Sequence, residues 1–142
     1  MAEFVGLYLS MAVEQVLIDL IAAYASANGT GISFGFKLSN KLLESGKLQI
    51  DPATGNLTCC SEDELFMAIT AESYPRGDYV ARLVANRIHR AIEQINADGG
   101  TRFLERLKES DFSGASSMLL SLYGIGPKSV ENYCLLAGIE QC

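Results

Sequence analysis

Apolar residues return at three- and four-residue spacing along most of this chain and alternate with polar ones in one short stretch. That pattern predicts a mainly helical fold with a single β-hairpin. Between residues 4 and 27, Val13, Val16, Leu17, Leu20 and Ile21 form one stripe, with Glu14 and Asp19 off it. The spacing predicts a helix stopped by Asn28-Gly29, its stripe facing a core or a partner helix and Asp19 on a solvated face. Thr30 to Phe36 reads as a glycine-rich connector whose Phe34 and Phe36 can cover a core edge, the commoner use of such residues, or stack on a base. Residues 37–45 read as a short helix closed by Gly46. In 47–60, Leu48 and Ile50 alternate with polar residues, Asp51 to Gly55 supplies turn chemistry, and Leu57-Thr58-Cys59 returns as the second strand.

Ser61 and Glu64 have capping-box spacing and open a helix over 61–72, which Ser73 to Gly77 breaks. The next helix, 78–97, places Val80, Leu83, Val84, Ile88, Ile92 and Ile95 on one side, with Arg82, Arg87, His89 and Arg90 elsewhere. Gly99-Gly100 ends it, Thr101 caps a helix over 102–109, and Asp111 caps the helix that runs into 119-LLSLYGIGPKSVENYCLLAG-138. The expected architecture is a single all-α domain over 1–142 with one small β-hairpin near 47–60 and a helix-hairpin-helix at about 112–138.

The sharpest chemistry lies in that last segment. Gly124 and Gly126 flank Ile125, which can plug the gap between two helices, and both glycines suit the positive φ of a tight reversal. Pro127 fits the first helical position, where its missing N–H costs nothing. Val130, Tyr133, Cys134 and Leu136 then face inward. The turn presents the backbone N–H groups of a helix N-terminus with no side chain over either glycine. Lys128 and Ser129 add a charge and a hydroxyl beside them, which makes an anion site suited to a nucleic-acid phosphate. Tyr123, just before the turn, can pack against it or stack on a base. A tight corner between helices needs the same glycines for geometry alone.

The string Gly-Ile-Gly-Pro-Lys followed by an apolar helix resembles the helix-hairpin-helix of DNA-binding proteins. Over 119–138 it is similar to the motif of the helix-hairpin-helix DNA glycosylases, the endonuclease III-like superfamily. The resemblance implies DNA-repair-related binding of the backbone through Tyr123, Gly124, Ile125, Gly126, Lys128 and Ser129. It also implies a second role for Lys128, as the Schiff-base nucleophile of a glycosylase and AP lyase. In that superfamily an aspartate follows the lysine further along than residues 129–142 reach, and these hold Glu131 and Glu140 but no Asp. The acid would come from another segment, with Asp19, Asp78 and Asp111 as candidates, or from another chain. A lysine attacks a sugar carbon only when partly unprotonated, which needs desolvation or a nearby cation, so a phosphate contact is the first expectation for Lys128.

Charge complicates this picture. The net charge is −6, against the basic footprint usual for nucleic-acid binders. Residues 76–108, however, hold seven basic side chains against four acidic ones. Arg82, Arg87 and Arg90 can meet phosphates or form a salt-bridged, solvated face with Glu93 and Asp98. A third expectation follows from the acidity: an assembly module with a purely structural hairpin, joined to a protein partner or a second copy through the apolar helix 4–27. Four cysteines without a Cys-x-x-Cys pair, and one histidine, predict no metal site and no cofactor. With no secretory signal and a first helix too polar to span a bilayer, the expected setting is cytoplasmic, with reduced thiols and no membrane contact.

Overall fold

The computed structural model describes residues 2–26, 31–72 and 74–140, with side chains from residue 12 onward. Among them run seven helices and one two-stranded antiparallel sheet, as the mainly helical expectation required. In order these are α1 (Ala2–Ser26), α2 (Ile32–Glu44), β1 (Leu48–Ile50), β2 (Leu57–Cys59), α3 (Glu62–Ala71), α4 (Gly77–Ala97), α5 (Thr101–Glu109), α6 (Phe112–Leu120) and α7 (Pro127–Ala137). No helix among the described residues is long and apolar enough to cross a membrane.

The second half of α1 is the centre of the molecule. It packs against α2, α4, α5 and α7, and every residue from Val16 to Ser26 is buried. The single stripe expected from the sequence is therefore too narrow. A helix that is apolar nearly all round has no side to give to water, and Ala22, Ala23 and Ala25 keep it slim enough to be surrounded. The surface offered to a partner helix over residues 13–26 is consumed by the protein's own core. Asn28-Gly29, the expected stop, lies outside the described residues.

Asp19 corrects a second expectation. It is only 4% exposed rather than on a solvated face, because α5 and α7 close over that side of α1. Gln15 Nε2 donates to its Oδ1 at 3.0 Å. Burial raises the Asp19 pKa above the ordinary 3.8; the Gln15 hydrogen bond and the Lys108 charge only oppose this.

Helix α2 begins at Ile32, so residues 32–36 are not a connector. Gly35 explains why. It sits where α2 crosses α1, and a Cβ there would fall within 2.9 Å of Ala22 Cα and closer still to its carbonyl oxygen. The glycine that reads as a breaker is a contact residue. Ser39 strengthens the same crossing by donating to the Ile18 carbonyl at 2.9 Å, and Phe34 packs on Tyr74 with ring centroids 5.3 Å apart.

The β-hairpin pairs Leu48 with Cys59 and Ile50 with Leu57 around an Asp51 turn. In that turn the Ala53 N–H and the Thr54 hydroxyl donate to the Asp51 carboxylate at 2.9 and 3.0 Å. Asn96 of α4 then pairs with β2 as a strand would, donating to the Leu57 carbonyl at 2.8 Å and accepting its N–H at 2.7 Å. Ser61 and Asp111 cap α3 and α6 as predicted, accepting from the N–H groups of Glu64 and Gly114 at 3.2 and 2.9 Å. Thr101 does not cap α5. Gly100 does, at φ +63°, because its backbone is pressed against Gly55 where Thr101 N–H donates to the Gly55 carbonyl at 2.8 Å.

Two measurements check this packing. Gly35→Val should destabilise the protein by about 1–3 kcal/mol or more in chemical denaturation, through overpacking of the α1–α2 crossing. Asp19→Asn should raise the melting temperature at pH 7 by a few degrees. Burial raises the folded-state pKa of Asp19, so its cost is absent below the ordinary 3.8, grows as pH rises from there towards the folded value and is constant above it. The gain from asparagine should therefore vanish below about pH 4.

Candidate functional site

The hairpin joining α6 to α7 runs from Ser121 to Gly126. Leu119 and Leu122 are buried beneath it, Leu120 faces outward, and half-buried Ile125 packs on the core as the plug its position suggests. Val130, Tyr133 and Cys134 point inward from α7, while Leu136 is only half-buried.

The two glycines do different work. Gly124 has φ +77°, and a Cβ on it would lie 2.5–3.0 Å from the Arg87 side chain. Gly126 departs from the expected positive φ. At φ −116° and ψ −174° it is an extended N-cap, with no atom beyond its chain neighbours within 4 Å of where a Cβ would stand and no side chain capping the helix. Gly124 is needed by the turn, whereas Gly126 puts no side chain over the first turn of α7, where the N–H groups of Lys128 and Ser129 have no intrahelical partner.

Three residues of α4 hold the turn in place, spaced at i, i+3 and i+7 on one face. The aliphatic part of Arg87 lies under Gly124. The Arg90 guanidinium sits 4.8 Å from the Tyr123 ring centroid. Gln94 accepts the Tyr123 N–H and donates to the Ser121 carbonyl at 3.3 Å. From the other side, Tyr24 at the end of α1 donates to the Tyr123 carbonyl at 2.6 Å. Burial pushes the Tyr24 phenol well above its usual value, against the opposing Arg87 charge, so it remains a donor. Nothing local in the sequence marks Gln94 or Tyr24 as partners of the turn. Arg87 was legible only as one of three basic residues.

The other candidates separate clearly. Lys128 is 70% exposed, with its ammonium 3.6 Å from Glu131. Ser129 is 3% exposed, because it falls on the inward side of α7, so its hydroxyl is not offered to a ligand as expected. Asp111 is occupied as a cap, Asp78 is exposed at the start of α4, and Asp19 is buried in a 240 Å³ cavity against the far end of α7. No Asp forms an ion pair with Lys128 among the described residues. On α4, Arg82 pairs with Asp63 at 2.6 Å and His89 with Glu93 at 3.0 Å, while Asp98 pairs with Arg106 at 3.2 Å on α5. Arg87 and Arg90, nearest the hairpin, form no ion pair among the described residues. Cys59, Cys60 and Cys134 are unbridged, and burial pushes the Cys59 thiol up to about 12, far from a reactive thiolate. No group of three or more His, Cys, Asp or Glu among the described residues is placed to hold a metal ion.

Compared with known families, curated proteins and solved structures, the chain matches none.

The clamp on the turn predicts a contrast. Gly124→Ala should cost about 1–2 kcal/mol in urea denaturation, since it adds a Cβ at positive φ against Arg87. Gly126→Ser, in open space at an N-cap, should leave stability within about 0.5 kcal/mol of wild type.

Proposed function

We propose that this protein binds the DNA backbone without reading base sequence, through the turn at 123–129, in the manner of the helix-hairpin-helix segment it resembles. The observation that carries the reading is the uncapped, unobstructed N-terminus of α7 at Gly126. Amide groups and the helix dipole favour an anion there, and Gly126 brings no side chain that would block its approach. Lys128 beside it, and Arg87 and Arg90 below the turn, supply positive charge on one side of a protein whose net charge is −6. Contacts of this kind position a protein on a duplex and carry no sequence information. The surrounding acidity keeps such binding weak and strongly dependent on salt.

A Schiff-base role for Lys128 receives less support. Its side chain stands in water beside Glu131, with nothing to desolvate it. Assembly through α1 is disfavoured over residues 13–26, which the protein's own core covers.

The decisive variant is Gly126→Asp. Aspartate is a preferred N-cap and its extended φ and ψ are already in place, so folding should be unchanged or improved by a few tenths of a kcal/mol. Its carboxylate would occupy the amide site and repel a phosphate. Fluorescence anisotropy with a short duplex at low salt should show binding by wild type and loss of it in Gly126→Asp. Lys128→Ala should weaken binding and lower the salt slope by about one. Unchanged affinity in a folded Gly126→Asp would overturn the reading.

A further inference from the structure

We propose that the groove between α4 and the hairpin seats an unpaired nucleobase of the DNA whose phosphate the turn holds, with the Arg90–Tyr123 stack as its platform. This inference rests on the backbone-binding reading above. The groove has a volume of 840 Å³, in the range of small-molecule sites, and is continuous with the turn through Ser121 and Tyr123.

Tyr123 directly precedes Gly124, yet its ring is not absorbed into the core: the residue is 44% exposed and lines the groove. The Arg90 guanidinium against it adds a second flat, cationic surface. Aromatic rings and arginine planes are the surfaces on which unpaired bases stack, whatever their identity. A base within a duplex is already stacked on both faces and cannot use them.

The rim of the groove gives the base an orientation. Glu62 is fixed by Asn86, which donates to it at 2.7 Å, and Glu93 by His89 at 3.0 Å. Two anchored carboxylates oppose a phosphate in the groove itself, so the phosphate belongs at the α7 amides and the base in the groove. They accept from the exocyclic amino groups of cytosine, adenine or guanine, whereas thymine has no such group. The platform can be removed without loosening the turn, because Gln94 and Tyr24 hold Tyr123 by its backbone N–H and carbonyl.

The test compares two labelled duplexes of equal length at low salt by anisotropy, one fully paired and one with a single bulged cytosine. Wild type should bind the bulged duplex about tenfold more tightly, the worth of one stacked base. Tyr123→Leu, its fold verified by circular dichroism, should bring the two affinities together, and Tyr123→Phe should keep them apart. Replacing the bulged cytosine by thymine should reduce the preference. Equal binding of both duplexes by wild type, or a preference that survives Tyr123→Leu, would overturn the inference while leaving the backbone reading intact. Binding of neither duplex would overturn both.

Discussion

A helix with almost no polar side has to be surrounded, and that requirement governs this protein. From Val16 to Ser26, α1 gives nothing to water, and α2, α4, α5 and α7 enclose it. Burial of this kind supplies most of the driving force for folding, and it also dictates shape. The chain admits α2 to close contact only by placing Gly35 at the crossing. Asp19 is carried inside at a cost that the hydrogen bond from Gln15 and the Lys108 charge only partly offset.

The site inherits its rigidity from the same arrangement. Tyr24, in the buried stretch of α1, reaches a carbonyl 99 residues later and so ties the core to the turn. Arg87 and Gln94 tie the turn to α4. With the backbone of Ser121, Tyr123 and Gly124 fixed in this way, the amide groups that follow are presented without further ordering. A preorganised site loses little freedom on binding. What the clamps leave open is small: the α7 N-terminus and the Tyr123 ring.

The elements were legible where their signals are local. Ser61 with Glu64 and Asp111 with Gly114 sit three residues apart, and the apolar spacing of α4 and α7 is determined by helix geometry alone. The errors fall where a tertiary contact overrides a local preference. Gly35 looks like punctuation because its partner, Ala22, lies on another helix. Thr101 looks like a cap, but Gly100 takes that place under pressure from Gly55. Of the six hairpin residues singled out from sequence, Gly124 is committed to the turn, Ile125 to the core and the Ser129 side chain to the interior. The α4 residues that hold the turn were illegible as partners, since Gln94 and Ser121 are 27 residues apart and no periodicity links them.

Amide-resolved NMR decides whether a phosphate meets the amides at the start of α7, as we propose. A short duplex titrated at low salt into ¹⁵N-labelled protein should shift the Gly126, Lys128 and Ser129 resonances most, with smaller changes at Tyr123 and Gly124. Added salt should reverse these shifts. Perturbations centred elsewhere, or none at those amides when the duplex is in excess, would exclude a phosphate at the start of α7 and make the turn a structural corner.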